Sequence, residues 1–249
     1  MRYSTLPFIV LPAALLQGVA VADDRVNLAA LSEPALEESR AGLLRLRCRT
    51  DDPGVVYVSR AVLLQTEAVS GRGDILLASR HAVEKDGERL SCSVAGENAR
   101  RGEIVRLYLP SEQNRDVNSF IDDWALLESA RRLSRDDQGL RAAILPNPGE
   151  LTTVSMPSVR EAEGRCNVID DPMVEGYDVL IAHDCSTWPG SSGAPLVVDY
   201  AGEPYVVGLH VGQMIELGSD RGWIGIARLI DDEMRLAFEH MLVDTDRDN

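Results

Sequence analysis

The chain has 249 residues, of which 45% are hydrophobic and 26% charged, with a formal net charge of −15. A chain of this size and composition can bury a substantial core, which excludes a mainly disordered protein. The excess of acidic residues excludes nucleic acid as a natural partner, because a polyanion is repelled by such a surface.

The first residues have the pattern of a secretory signal peptide. One basic residue, Arg2, precedes an apolar stretch over 6–21, and small residues end this stretch before two aspartates. The pattern predicts a signal peptide over 1–22, cleaved after Ala22, and a mature protein that is secreted or periplasmic. A retained membrane anchor is the alternative, which the two prolines of the segment disfavour. We expect no stable membrane insertion after cleavage, because no later segment is long and apolar enough.

The region that follows predicts an all-β domain. Residues 23–42 are acidic with scattered alanine and leucine, which indicates a loosely helical or extended N-terminal arm. Short strand-like runs then alternate with Gly, Asp and Pro clusters, a pattern typical of a β-sandwich or β-barrel. The runs lie at 43–48, 55–64, 75–79, 104–109, 140–145, 179–183, 195–198 and 205–211.

The strand-like runs divide into two halves. Residues 43–145 and 151–227 each contain enough short strands for a six-stranded antiparallel barrel. Apolar residues recur with helical spacing only within 228–242, which predicts a C-terminal helix that packs its apolar face on a barrel. The domain would therefore span 43–249, with two six-stranded antiparallel β-barrels followed by a helix.

Four cysteines in an exported chain predict disulfide bonds, because oxidising compartments preserve them. Four cysteines allow three pairings. We favour Cys48 with Cys92 and Cys166 with Cys185, since each pair falls within one half of the chain, and the other pairings stay open on sequence alone. A metal site is the competing use, but no Cys-x-x-Cys or His-x-x-x-His spacing supports one. We predict neither a metal nor a cofactor.

Ser192 lies in a glycine-rich segment, PGSSGAP at 189–195, between two strand-like runs. A serine hydroxyl is a weak nucleophile, so it needs a neighbouring base and a third group that orients this base. His81 and Asp123 are the candidates, both in the first half of the chain. The order His, Asp, Ser differs from the order in α/β-hydrolases and in subtilisins. A site formed by these residues would lie at the seam between the two barrels.

Three short segments carry a family resemblance. Residues 76–83 (LLASRHAV) are similar to the L-T-A-A-H-C segment that bears a general base, residues 123–127 (DWALL) to a D-x-A-L segment, and residues 190–195 (GSSGAP) to the loop G-D-S-G-G-P. These segments resemble those of the trypsin/chymotrypsin-like serine proteases, in particular their secreted bacterial branch. The resemblance implies two barrels with the active site at their interface, and an endopeptidase that cuts protein or peptide substrates through an acyl-enzyme.

The resemblance also implies a role for each residue of the site. Ser192 would attack the scissile carbonyl, His81 would accept and return its proton, and Asp123 rather than its neighbour Asp122 would orient the imidazole. The backbone N–H groups of Gly190 and Ser192 would form the oxyanion hole. His183 and His240 are expected outside the site, the first in a structural or rim position and the second on the solvent side of the terminal helix.

Several positions depart from the family pattern. Ser191 replaces the aspartate that pairs with a new N-terminus in activated zymogens, so any propeptide removal would work differently or would not be required. Ala82 replaces a cysteine, which excludes that family disulfide. Arg80 is larger than the usual alanine and would either point outward or pair with an acid. Ser186 replaces the aspartate that selects Lys or Arg, which disfavours trypsin-like selectivity.

Two polar residues raise a hypothesis about the substrate. Thr187 and His210 are similar to the threonine and histidine that bind the substrate carboxylate in bacterial glutamyl endopeptidases. A hydroxyl beside an imidazole that can become cationic is a sensible receptor for glutamate. The alternative is that Gly-Leu-His at 208–210 is a strand variant without this role. With Ser186, these residues are the candidate substrate-binding set.

Two other functional classes compete with the endopeptidase. A catalytically silent, protease-like binding protein would keep the fold while neighbours such as Arg80 or Ser191 misalign the site. The intact set of Ser192, His81 and Asp123 argues against it. A lipase or esterase is the other, but the G-x-S-x-G elbow is absent because Gly193 directly follows Ser192.

Overall fold

The computed structural model describes residues 19–21, 30–52, 54–65, 73–96, 100–110, 120–133, 139–145, 147–157, 165–200, 202–215 and 223–243. Within these ranges the helices are α1 (Glu33–Arg40) and α2 (Asp232–Val243). The strands are β1 (Val19–Val21), β2 (Leu43–Arg49), β3 (Val56–Leu63), β4 (Ile75–Ala78), β5 (Glu84–Lys85), β6 (Glu88–Arg89), β7 (Ser91–Ala95), β8 (Gly102–Tyr108), β9 (Ala125–Ser129), β10 (Arg141–Ile144), β11 (Thr153–Ser155), β12 (Arg165–Ile169), β13 (Leu180–His183), β14 (Pro195–Tyr200), β15 (Glu203–Ile215) and β16 (Trp223–Leu229).

Two closed antiparallel barrels form the domain, as the sequence predicts. The first has the strand order β2-β3-β4-β9-β8-β7. The second runs β15-β14-β11-β12-β13-β16 and closes through the pairing of β15 with β16. Each barrel therefore has six strands, and α2 follows the last of them. The all-β prediction with a C-terminal helix is confirmed.

Several strands are apolar on both faces because both of their faces are buried. In β4, Leu76 and Ala78 face the interior of the first barrel. Ile75 and Leu77 belong to a different cluster, which also contains residues of the second barrel and of both helices. Successive side chains of a strand point to opposite faces, so one face of β4 fills its barrel and the other fills the seam. A continuous apolar run is what such a strand requires.

The boundaries at the second barrel differ from the sequence prediction at two places. The run 140–145, which the sequence groups with the first half, contains β10, and β10 pairs in parallel with β15 of the second sheet. Strand β16 extends to Leu229, so the terminal helix begins at Asp232 rather than at 228. In both cases a short apolar run is compatible with either neighbour, and only the tertiary pairing decides between them.

The N-terminal arm is partly helical and reaches the second barrel. Helix α1 buries Leu36 in the seam cluster, and the Leu31 N–H donates to the Ser155 hydroxyl at 2.9 Å. The predicted signal peptide lies outside the described residues except for β1, which pairs in parallel with β10. The leader therefore stays a prediction. No helix in the described part of the chain is long and apolar enough to span a membrane.

Two disulfide bonds join the cysteine pairs that the sequence favours. Cys48 and Cys92 link β2 to β7 in the first barrel, and Cys166 links to Cys185 in the second. Cys48 and Cys92 are directly opposite each other in the antiparallel ladder. The bond therefore joins two residues that the strand pairing already holds close together. Each disulfide stays within one barrel and leaves the seam to non-covalent contacts.

The C-terminal helix is attached through a buried arginine. The Arg228 side chain is 1% exposed. Its guanidinium donates to the carbonyl of Ile121 at 2.7 Å, to that of Leu229, and to the Asp231 carboxylate at 2.6 Å. Asp231 also accepts the Met234 N–H at 3.0 Å, which caps the first turn of α2. One guanidinium thus ties the helix to the segment that leads into Asp123.

We expect Arg228→Leu to lower the free energy of unfolding by about 3 kcal/mol, because it leaves the Ile121 and Leu229 carbonyls and the Asp231 carboxylate without their donor. Arg235→Leu is the matched control, since Arg235 pairs with Asp232 and Glu239 on the partly exposed helix surface. Its loss should be much smaller, because exposed ion pairs contribute little to stability. Urea unfolding of both variants measures the difference. Equal losses would contradict the role given to Arg228.

Candidate active site

The register of two strands brings His81 and Asp123 together. Ala78, the last residue of β4, is paired with Ala125, the first residue of β9. A short 3-10 turn over Arg80–Ala82 follows β4 directly. His81 therefore comes just after the end of one strand and Asp123 just before the start of its antiparallel neighbour, at the same end of the barrel.

The His81 imidazole is bound and oriented by Asp123. The Asp123 carboxylate accepts the backbone N–H of His81 at 2.8 Å and faces its Nδ1 at 2.6 Å. Burial lowers the pKa of His81, but the hydrogen bond and the negative charge of Asp123 outweigh burial, and the net effect raises its pKa above the ordinary value. Because Nδ1 donates to the carboxylate, the neutral ring presents Nε2 as an acceptor for a proton. Asp123 rather than Asp122 makes these contacts.

Arg80 pairs with an acid, one of the two outcomes that the sequence leaves open. Its guanidinium donates twice to Glu84, at 3.1 and 2.9 Å, and both side chains are almost buried. Glu84 is four residues further along the chain, so the pair closes over the turn that carries His81. The positive charge of Arg80 is therefore neutralised by Glu84 next to the turn that carries His81.

The loop that precedes Ser192 is a tight turn. The Ser191 N–H donates to the Trp188 carbonyl at 2.9 Å, and Gly190 has a φ of 99°. Proline at the second position and a left-handed glycine at the third are typical of a type II turn. The Ser191 hydroxyl accepts the Trp188 N–H at 3.1 Å. Ser191 thus closes the loop locally at the position where the resembled family has an aspartate.

The oxyanion-hole candidates have unused donors. In the part of the chain that the structure describes, the backbone N–H groups of Gly190 and Ser192 make no hydrogen bond. The positive φ of Gly190 is a conformation that other residues adopt only with strain. Two backbone donors two residues apart, both unpaired in a tight turn, are the arrangement that binds a developing oxyanion.

The Ser192 loop is seated on the first barrel through its backbone. The Ser192 carbonyl accepts the N–H of Arg60 on β3 at 2.8 Å. A Cβ added at Gly193 would lie 2.1 Å from the Arg60 carbonyl oxygen and 3.3 Å from the Ser79 nitrogen. Ser79 is the residue before the turn that carries His81. Glycine at 193 therefore allows the loop to touch both β3 and the His81 turn.

Ser192 is adjacent in sequence to Gly193, and His81 is two residues after Ser79, so both lie near this contact. The Ser192 side chain is partly exposed, as is the His81 ring. No hydrogen bond joins the Ser192 hydroxyl to the imidazole within the described residues. Such bonds are often long before a substrate binds and tighten in the complex. The structure thus brings all three predicted residues to the seam, with the His81–Asp123 pair already bonded.

Behind the loop, His210 forms a buried pair with a second histidine. The Gly193 N–H donates to the His210 carbonyl at 2.7 Å. His210 Nδ1 is 3.1 Å from Nε2 of His183. Burial lowers the pKa of His183 to about 4. Burial, together with the charges of His183 and His81, lowers the pKa of His210 to about 3. Desolvation therefore disfavours the cationic form of His210 that a carboxylate receptor would use, and its role as a substrate-binding residue stays a prediction.

The remaining substrate-binding candidates are more exposed. Thr187 is half-buried, and its carbonyl and hydroxyl oxygens both face the side-chain nitrogen of Gln213, the former at 3.2 Å. Since a carbonyl only accepts, the Gln213 amide donates, and the Thr187 hydroxyl keeps its own proton for another acceptor. Ser186 is exposed and carries no charge. Thr187 therefore offers a neutral hydroxyl donor.

The sequence did not identify two members of this arrangement. His183 was expected in a structural or rim position, and it is completely buried against His210. Gln213 carries no motif, and its partner Thr187 is distant in the chain. Neither pairing has a local signal, because both depend on the register of β13 and β15 with β16. His240 is exposed on α2, as predicted.

Comparisons with known proteins bear on the fold. No protein-family model matches the chain, and no curated protein sequence matches it. Among solved structures, a thermostable serine protease, AL20, from an extremophilic microorganism is similar with a TM-score of 0.60 and 12% identity, covering 84% of this chain and 100% of that one. The protease Anisep from Arthrobacter nicotinovorans is similar with a TM-score of 0.53 and 12% identity, covering 76% and 90%. The chain has the two-barrel fold of the trypsin-like serine proteases.

Proposed function

We propose that the protein is a serine endopeptidase that hydrolyses peptide bonds in protein substrates through an acyl-enzyme. The observation that carries the proposal is the His81–Asp123 pair, bonded at 2.6 Å beside the loop that presents Ser192. A structural turn would need neither an oriented imidazole nor a pair of unused backbone donors. The fold shared with two proteases supports the same conclusion.

The chemistry follows from the protonation states. His81 Nε2 takes the proton of the Ser192 hydroxyl while its oxygen attacks the carbonyl carbon, and Asp123 stabilises the imidazolium that forms. The N–H groups of Gly190 and Ser192 stabilise the oxyanion. His81 then gives the proton to the leaving amine, and the acyl group stays on Ser192. Water repeats the sequence, with His81 as its base, and releases the acid.

The Ser191 contact supports an enzyme that needs no new N-terminus at this position. A buried aspartate here would need a cationic partner. Ser191 is buried but neutral, and both its N–H and its hydroxyl are bonded to Trp188 at 2.9 and 3.1 Å. The polar groups of Ser191 are therefore hydrogen-bonded within its own turn.

We also propose export to the periplasm or the cell exterior, which the leader-like sequence of 1–22 and the two disulfides support.

We propose that Thr187 and His210 bind the side chain of the substrate residue before the cut, with Ser186 at the exposed end of the same segment. Both Thr187 and His210 are hydrogen-bond donors, so they favour a side chain with an acceptor oxygen, such as glutamate. Ser186 provides no carboxylate for lysine or arginine. Two donors held by other side chains lose little freedom when they bind.

The first test is covalent labelling. A fluorophosphonate should label Ser192 stoichiometrically, and Ser192→Ala should abolish both labelling and cleavage of a peptide library. His81→Ala should reduce the labelling rate by about 10⁴-fold or more, because the hydroxyl loses its base. Mass spectrometry locates the label. A wild-type protein that neither labels nor cleaves would support the protease-like binding protein instead.

The second test uses pH. His81 acts as a base only when neutral, and its raised pKa means that kcat/KM should fall as the pH drops through a value above 6.5. Asp123→Asn removes the negative charge that raises this pKa, so the inflection should shift down and kcat should fall by about 10⁴-fold. Asp122→Asn is the matched control and should keep both. If the pH of the inflection is the same in Asp123→Asn as in the wild type, His81 is not the titrating base.

The third test concerns selectivity. Among peptides with Glu, Asp, Leu or Arg before the cut, we expect Glu to give the highest kcat/KM. His210→Ala should lower the ratio of Glu to Leu by about tenfold, the effect of one lost hydrogen bond to a charged group. Thr187→Val should lower the same ratio, whereas the value for Leu should change little in either variant. If the ratio of Glu to Leu is unchanged in His210→Ala, His210 does not belong to the subsite.

A further inference from the structure

His183 is a buried ionisable side chain that the reaction itself does not use. It is fully buried on β13, and its ring lies over the backbone of β16. A Cβ at Gly225 would be 2.2 Å from His183 Cε1, so only glycine leaves room for the ring. The histidine and the glycine are paired across the two strands. The His183 ring therefore occupies the space that a side chain at position 225 would fill.

The two ends of the His183 ring have different partners. The Cys185 N–H donates to Nδ1 at 3.2 Å. A backbone N–H can only donate, so Nδ1 carries no proton. The ring is neutral, since burial keeps its pKa about 4, and its one proton must be on Nε2. This proton faces Nδ1 of His210 at 3.1 Å.

The hydrogen bond from His183 also determines which nitrogen of His210 carries the proton. Its Nδ1 accepts from His183, and the ring is neutral, so its proton must be on Nε2. That N–H lies on the far side of the ring from His183. The order Cys185 N–H, His183, His210 is thus a chain of hydrogen bonds with one direction. The Cys166–Cys185 disulfide holds its starting point.

We propose that His183 is a positioning residue that sets His210 as a neutral N–H donor, so that the subsite selects the substrate side chain by its acceptor oxygen and not by negative charge. The inference rests on the proposed endopeptidase function and deepens it. Glutamine should then be accepted about as well as glutamate, because a neutral donor serves a carbonyl oxygen and a carboxylate alike. A cationic receptor would reject glutamine.

The direct test is the tautomer, which requires no catalysis. The chain contains four histidines, so long-range ¹H–¹⁵N spectra of the labelled protein can be assigned by single substitutions. We expect His183 and His210 to be neutral Nε2–H tautomers from pH 8 to pH 5. The groups whose charges act on His210 are His183 and His81, and protonation of His81 in this range should leave the tautomer in place. A protonated His210, or its Nδ1–H form, would overturn the proposal.

The second test measures selectivity in variants of His183. His183→Leu removes the donor, and it should lower kcat/KM for Gln and Glu peptides by about tenfold while the value for Leu peptides stays within about twofold. His183→Gln keeps an amide donor and should restore most of the preference. A purely structural role would lower all substrates alike and would not be rescued by glutamine. That result would overturn the proposal.

Gly225→Ala reaches the same point without changing a histidine. Its methyl group should displace the His183 ring and reproduce the loss of Gln and Glu preference. Gly149→Ala is the matched control, since a Cβ there meets nothing within 4 Å. Fluorophosphonate labelling of Ser192 should persist in all variants. Labelling with an unaltered preference would overturn the role of His183 alone, whereas absence of labelling in the wild type would overturn the endopeptidase.

Discussion

The carbonyl of Arg60 in the first barrel lies against Gly193 in the second, where an added Cβ would be only 2.1 Å away. Beside it, the Arg60 N–H donates to the Ser192 carbonyl at 2.8 Å. The first barrel carries His81 and Asp123, and the second carries Ser192 and the backbone N–H group of Gly190, which is unpaired among the described residues. Their mutual position depends on this backbone contact, because each disulfide stays within one barrel. Glycine is thus required at 193 for two reasons: the turn has a positive φ there, and the two barrels could not pack together around a side chain at this position.

Neutralisation of buried charge is the second constraint on the site. Arg80 is paired with Glu84 over the His81 turn, and Arg228 with Asp231 behind Asp123. His183 and His210 are held neutral by burial. Among the described residues, the charge that acts on the His81 imidazole is that of Asp123, which raises its pKa.

Much of the fold, and the location of the candidate site residues within it, could be predicted from the sequence. Alternating and continuous apolar runs, interrupted by Gly, Pro and Asp, indicated short strands, and three motifs in the order His, Asp, Ser placed the centre between two barrels. The assignment of β10 to the second sheet could not be predicted, because its short apolar run has no signal for its partner. The burial of His210 could not be predicted for a similar reason. Its pKa depends on burial and on His183, which is distant in the chain and becomes a neighbour only through the pairing of β13, β16 and β15.

We propose that Ser192 carries the acyl group during turnover. It can be tested by rapid mixing of the protein with a slowly deacylating peptide ester, acid quenching, and mass spectrometry of the digested chain. We expect one acyl group per molecule on the peptide that contains Ser192, which forms before steady state and disappears when the ester is exhausted. An adduct on another residue, or hydrolysis of the ester without any adduct, would contradict it.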